Sequence, residues 1–309
     1  MIVKNQFSIA KIYQYIKFDF WLILVTTIGS SILLLNDIKF QIPMAVASLM
    51  GSAVAIFIAF RNNTSYSRWW EARSQWSSIT NFSRILARQV VASTDAVILK
   101  GELNPQEIGE FKNIFIRRQA LFTKLLIDKL YDKRSSLETD VLTDQEATDL
   151  ASSVNPPNAL LIIQSKYIKA GIEKKMLGAF DNISFDPSIS GLQQAQGICE
   201  RIKETPLLKQ YHFFTRIFVL VFVVALSLSL IPAVSKEVNF FIGAVANVIV
   251  ALFFVIMNKV GEANENPFSG AVTDVPIHTI SNKIERELLE LVDISLVPEK
   301  IKNPEGYQF

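Results

Sequence analysis

The stretch IAFRNNTSYSRWWEARSQW, residues 58–76, changes its preferred solvent partway along. It begins as the tail of a charge-free apolar run, and after Phe60 it turns polar, with three arginines and three tryptophans in the quoted segment. No Gly or Pro interrupts it, so nothing breaks a helix where the character changes. The pattern predicts one helix that leaves a membrane and continues into water. Upstream, residues 40–60 hold 21 positions without a charge. At 1.5 Å per residue that is about 31 Å, the thickness of a bilayer's hydrocarbon core.

The rest of the composition agrees. Half of the 309 residues are apolar, 22 are Phe, and charged residues make up 19%. Soluble domains carry about 25%. The deficit is uneven: two long blocks contain almost no charge, and the segment between them is ordinarily charged, as in a membrane protein with a water-exposed portion. A net charge of +2 implies no nucleic-acid partner. Cys199 is the only cysteine, which excludes an intrachain disulfide and a multi-cysteine zinc site. The N-terminal run MIVKNQFSIAKIYQYIKFDFW has the lysines of a signal peptide, but no small-residue cleavage site follows residues 21–35, so that segment is expected to be a span.

Four spans are expected: residues 21–35, with Phe18 and Phe20 before them and Asp19 and Asp37 at the interfaces, then 40–60, 213–234 and 240–260. The links NDIK and SKEVN are short, which makes two hairpins and puts both termini and the middle segment on one side. Lys4, Lys11, Lys17, Arg61, Arg68, Arg73, Lys203 and Lys209 flank that side, against Lys39 and Lys236 on the other. The shared side is therefore expected to be cytoplasmic.

Between the hairpins the pattern is helical throughout. Residues 61–93 carry apolar side chains at helical spacing, with a stop expected at Ser93-Thr94-Asp95. Helices are further expected from Pro105 to about Lys133, over TDQEATDLASS, from Asn158 to about Leu177, and from Ser188 to Glu204 before Pro206. The expected fold is all-α: residues 1–60 with the first hairpin, 61–212 cytoplasmic and helical, 213–260 the second hairpin, and 261–309 a cytoplasmic tail. Within the tail, IERELLELV, residues 284–292, is an amphipathic helix suited to packing across a subunit boundary.

Small residues crowd the second span, and Ser52, Ile56 and Phe60 fall at i, i+4 and i+8 on one face over about 12 Å. Such a stripe suits helix packing, and it equally suits the wall of a pore repeated around an axis. Spacing alone leaves both open.

Residues 60–73, F-R-N-N-T-S-Y-S-R-W-W-E-A-R, resemble the signature of the bestrophin family in its bacterial branch. G-I-C-E-R-I-K-E-T-P-L at 197–207 and E-A-N-E-N-P-F at 262–268 are similar to two further family motifs, in the family's order. The resemblance implies a homopentameric ion channel, lined by the second membrane helix and its cytosolic continuation, in a bacterial inner membrane. It carries over Ser52, Ile56 and Phe60 as the three rings of a narrow neck, with Ser52 departing from the usual apolar type. Phe180, with Met176 one turn earlier, falls near the family's cytosolic aperture, although DNISFDPSISG resembles a local insertion there. Asn62, Asn63, Ser65, Tyr66, Arg68, Trp69, Trp70, Glu71, Arg73, Glu200, Arg201, Pro206, Pro267 and Phe268 are expected as structural motif residues.

The same resemblance implies small monovalent ions as the passengers, anions such as chloride slightly favoured, with lipid as surroundings. Eukaryotic members bind calcium through an acidic run after N-P-F-G. Here that position reads SGAVTDVP with Asp274 its only carboxylate, so no calcium clasp, metal or other cofactor is expected. Glu262 and Glu265 read as solvated helix-end charges as readily as ion ligands. With two histidines in no ligand pair and no phosphate-cradling loop, an enzyme is disfavoured, and so is a transporter, which needs buried midplane charge. A cation-conducting channel of the same fold and a non-conducting scaffold remain as alternatives.

Overall fold

The computed structural model describes residues 9–38, 40–101, 103–133 and 140–301; Lys4 and Lys39, used above for orientation, lie outside them. The elements are α1 (Ile9–Leu35), α2 (Met44–Lys100), α3 (Pro105–Leu130), α4 (Asp144–Ser152), α5 (Pro156–Glu173), α6 (Asp181–Glu204), α7 (Lys209–Glu237), α8 (Phe240–Ala263) and α9 (Ile277–Leu289), followed by a 3-10 turn at Ile294–Leu296. No strand occurs among the described residues. Four helices are long and apolar enough to cross a membrane: α1 from Ile16, α2, α7 and α8. The chain divides into two compact units. One spans Lys4–Trp69 and Pro206–Asn266; the other holds Trp70–Thr205 and the described part of Pro267–Phe309. α2 contributes to both.

In the first unit α7 and α8 run along each other, and α1 packs on both. Gly243 permits the approach: a Cβ there would stand 3.1 Å from the carbonyl oxygen of Ile231. Between the helices lies a polar seam. Ser30 Oγ donates to the Ser227 carbonyl at 2.7 Å, and Asn247 Nδ2 donates to Thr27 Oγ1 at 2.9 Å and to Ser227 Oγ at 3.0 Å. Small hydroxyl and amide groups that find partners across helices hold membrane segments together where the hydrophobic effect gives no preference for protein over lipid. Asp19 is buried 3.9 Å from Lys259, tying α1 to α8.

The second unit is built around α3. Asn104 caps its first turn, accepting from the Gln106 amide, and Pro105 supplies the fixed φ of a first helical residue. Phe115, Ile116 and Leu126 are fully buried, and α5, α6 and α9 lie against α3. Thr143 and Glu146 close a capping box on α4. Arg118, 4% exposed, donates to Glu146 and to the Val141 carbonyl and lies over the Tyr167 ring at 4.5 Å.

Several boundaries differ from the sequence expectation. α2 does not stop at residues 93–95: Thr94 is fully buried and donates its hydroxyl back to the Val90 carbonyl at 2.7 Å, so the residue read as a breaker is absorbed, and the helix ends before Gly101 in the left-handed region (φ 69°). α3 ends at Leu130, short of Lys133, and Asp132 follows at φ 53°. α5 ends at Glu173, short of Leu177, because Lys175 turns left-handed at φ 59°. α6 starts at Asp181, seven residues before Ser188; DNISFDPSISG forms its opening turns, with Pro187 inside the helix. α9 starts at Ile277, and its apolar side is covered within the chain: Ile284 and Leu288 are buried, and Thr123 and Ser281 hydroxyls meet at 2.7 Å against α3.

Candidate functional site

One side of α2 is buried along nearly its whole length. Ala47, Gly51, Val54, Ile58, Arg61 and Ser65 are buried in the first unit; Ala72, Trp76, Ile79, Ser83, Leu86, Val90, Thr94 and Val97 are buried in the second. These positions recur at three- and four-residue steps, the period of one helix face. Opposite them runs an exposed face: Leu49, Ser52, Ile56, Phe60, Asn63, Ser67, Trp70 and Ser74, continuing through Asn81 and Arg88. Ile56 is 56% exposed and Phe60 62%. Ser52 donates its hydroxyl proton to the Ser48 carbonyl at 3.0 Å, which leaves lone pairs, not the proton, on the open side. Ser52, Ile56 and Phe60, expected as the neck, therefore share one uncovered face, apolar at Ile56 and Phe60 and polar at Asn63 and Ser67.

Where that face changes character, the first unit holds a charge cluster that the sequence reading missed. Arg61, 1% exposed, donates to Asn258 Oδ1 at 2.9 Å, to His212 Nδ1 at 2.6 Å and to Glu265 Oε2 at 3.1 Å. A guanidinium only donates, so His212 Nδ1 accepts and its ring proton sits on Nε2. Glu265 also accepts Arg68 Nε through its carbonyl at 3.2 Å. Glu265, which read as a solvated helix-end charge as readily as an ion ligand, is thus the counter-ion of a buried arginine. The available signal was Arg61 itself, the first charge after the apolar run, on the azimuth of Ile58 and Ser65.

Asn62 donates to the Met257 carbonyl at 3.0 Å, and a Cβ on Gly261 would fall 2.1 Å from its Oδ1, so α2 and α8 meet closely at this glycine and a larger residue would have to displace the Asn62 side chain. Ser65 is buried; Asn63 and Tyr66 are exposed. The three tryptophans separate: Trp76 is fully buried, Trp69 half-buried and Trp70 58% exposed. Within the second unit, Arg201 donates to Glu71 at 2.5 Å, Arg73 to Ser77 Oγ at 2.8 Å, and Lys203 to the Phe268 carbonyl at 3.4 Å. Glu200 accepts from Asn155, the cap of α5, at 2.9 Å. Three sequence motifs far apart in the chain thus serve as joints: 61–68 to 258–265 in one unit, and 71 to 201 and 203 to 268 in the other. Pro267 and Phe268 are buried at the start of the tail, and Pro206 is exposed in the turn after α6. Cys199 is buried, and that burial, reinforced by Glu200 and Glu71, pushes its thiol up to about 12, far from a nucleophile's range.

Phe180 stands immediately before α6 and is 79% exposed, with Ile183 in the first turn 67% exposed. Met176 is half-buried in the turn between α5 and α6, not one helical turn from Phe180. In the tail, Asp274 is buried, and burial pushes its carboxyl above the usual range against the hydrogen bonds that hold it down. Its oxygens accept the Ser269 amide at 2.6 Å, the Ser269 hydroxyl at 2.9 Å and the Gly270 amide at 2.7 Å. Those lone pairs point into the protein's own loop. No group of three or more His, Cys, Asp or Glu side chains placed to hold a metal occurs among the described residues.

Residues 10–290 match the family model described as bacterial/fungal bestrophin protein. A voltage-dependent anion channel-forming protein, YneE, of Salmonella typhi is 28% identical over 307 residues, covering 97% of this chain and 93% of that one. A voltage-dependent anion channel-forming protein of Nostoc is 26% identical over 86% of this chain and 84% of its own. A crystal structure of a bacterial bestrophin homolog from Klebsiella pneumoniae, with a tryptophan-to-alanine substitution, matches at a TM-score of 0.78 and 25% identity. It covers 90% of this chain and 96% of that one.

Proposed function

Since the chain belongs to the bacterial and fungal bestrophin family, which places it among integral membrane ion channels and not enzymes, we propose that it assembles as a homopentamer whose central conduit is lined by the exposed face of α2. The observation that carries this reading is the uncovered, in-register face running from Leu49 to Arg88 on one unbroken helix. At 1.5 Å per residue the helix is about 86 Å long, nearly three times a hydrocarbon core. Five copies form a neck from Ser52, Ile56 and Phe60 and continue it as a polar tube in the cytoplasm. α1 with α2 and α7 with α8 make the two membrane hairpins, both termini are cytoplasmic, and the bilayer is a bacterial inner membrane.

The neck is a filter by dehydration. Rings of Ile and Phe offer an ion no oxygen, so water and ions pass when the tube widens or when the edges of the Phe60 rings, which are positive, face the axis and offset lost hydration of an anion. Relatives that carry an anion-channel name support small monovalent anions, chloride among them, as the passengers. Phe180 forms a second, cytosolic aperture. Calcium has no part in opening: the tail's carboxylate, Asp274, already accepts three hydrogen bonds from its own loop.

Purified protein in planar bilayers tests this. Wild type is expected to carry current that a calcium chelator leaves unchanged, and Ile56→Ala is expected to raise unitary conductance severalfold. A silent but intact oligomer supports the scaffold reading instead. Equal conductance in Ile56→Ala and wild type places residue 56 away from the conduit and overturns the neck.

A further inference from the structure

The exposed face of α2 crosses from the membrane unit into the second unit almost without charge. Below Phe60 it presents Asn63, Ser67, Ser74 and Asn81, all exposed and all neutral. Charges near its edges have partners: Arg73 donates to the neutral Ser77 hydroxyl, and Glu71, Arg84 and Asp95 are ion-paired. Glu71 is held by Arg201, Arg84 by both oxygens of Glu287 at 2.9 and 2.8 Å, and Asp95 by Lys112 at 3.1 Å. Arg88 is different: it is exposed, and among the described residues it makes no ion pair or hydrogen bond, Glu287 on the same groove being paired with Arg84. Ser52, Trp70 and Arg88 are spaced by 18 residues, about five turns, so the three stand at one azimuth, some 40° from Ile56. Leu86 and Val90, on the opposite side of the same turns, are fully buried, which fixes the face that Arg88 occupies.

We infer that Arg88 is a specificity-determining residue: repeated around the axis, it forms a ring of five uncompensated positive charges in the cytosolic conduit, about 42 Å beyond Phe60, that concentrates anions and repels cations before they reach the neck. This rests on the pore reading above and names the electrostatic element that an apolar neck lacks. Rings of arginine serve anion pathways because a guanidinium stays charged at any working pH. Being solvated, the ring acts over a screening length and not by binding. Its influence is therefore expected to be strong at about 10 mM salt, where that length is about 30 Å, and weak at 1 M, where it is about 3 Å.

The test is the reversal potential across a potassium chloride gradient in planar bilayers, with full-length protein. Arg88→Gln is expected to lower the anion-to-cation permeability ratio about threefold, and Arg88→Glu roughly tenfold, both at low salt and both shrinking toward no change at 1 M. The direction of change holds whatever the wild-type ratio. Lys169→Gln, which removes an exposed and unpaired charge from α5, is the control and is expected to leave the ratio unchanged. Because Cys199 is buried, Arg88→Cys introduces the one accessible thiol. A positively charged thiosulfonate reagent should restore the wild-type ratio there, and a negatively charged one should lower it further. Protein that conducts, and whose Ile56→Ala variant conducts more, yet keeps its reversal potential in Arg88→Glu, overturns this inference alone. Protein that carries no current overturns the pore reading and the ring with it.

Discussion

The two halves of α2 keep one helical period but solve different problems with it. In the membrane unit the buried side mixes small and branched residues, Ala47, Gly51, Val54 and Ile58, and the open side is mostly apolar, with Leu49 74% exposed and Phe60 62%. In the second unit Trp76, Ile79, Leu86 and Val90 fill the buried side, and the open one is mostly serine, asparagine and arginine. A helix in water hides its large apolar residues. The membrane half departs from that rule: its apolar open side is the one assigned above to the neck, where Ile and Phe exclude water, and Ala47 and Gly51 on the buried side let helix backbones approach. Burial alone therefore marks the packed side in both halves, while chemistry marks the solvent opposite it.

The largest expected effect separates the buried and open sides of the second half. Trp76→Ala empties a fully enclosed site and is expected to cost about 4 kcal/mol, whereas Trp70→Ala, six residues away on the open side, is expected to cost less than about 0.5 kcal/mol. Thermal aggregation of the detergent-solubilised protein ranks the two. A comparable loss from both would mean that the open side of α2 is itself packed against another subunit, and the proposed cytosolic conduit would have to be lined by something else.

At the junction of the halves the next effect is electrostatic. Arg61→Ala leaves Glu265 and Asn258 without their donor at the edge of the apolar region, at a cost of about 3 kcal/mol. Arg61→Ala combined with Glu265→Gln is expected to recover part of that loss, because the variant no longer buries a lone carboxylate. If the double variant is worse than the single one, the pair is not the reason Arg61 is buried.

These sites differ in how far they could be read from sequence. The face of Ser52, Ile56 and Phe60 followed from spacing, because a period of 3.6 survives any environment, and the motif residues 60–73 then located it within a family. The start of α3 at Pro105 was equally plain, since first-turn preference is local. What required coordinates was the partner. Glu265 and Arg61 are 204 residues apart, and a glutamate near a helix end looks the same whether water or a guanidinium faces it. Residues 93–95 were expected to stop α2, yet Thr94 is buried and the helix runs through it; the helix expected from Ser188 starts at Asp181 instead, with Pro187 in its opening turns. Spacing does not separate the three tryptophans by role, and only burial parts Trp76 from Trp70.

The smallest effect probes the small-residue side of the membrane half. A Cβ on Gly51 would stand 2.9 Å from the Phe222 ring edge, closer than carbon atoms tolerate, so Gly51→Ala requires that ring or its helix to shift. Overpacking of this kind costs about 1 to 2 kcal/mol, less than the loss at Trp76, because an aromatic ring gives way more readily than a cavity fills. Phe222→Leu removes the ring and should therefore cancel most of the cost of Gly51→Ala, although each change alone destabilises. Such a non-additive pair is what contact between residues 51 and 222 demands. Additive losses would mean that α2 and α7 do not meet there, and with that the assignment of Gly51 to the packed side, and of Ser52 to the open one, would have to be redrawn.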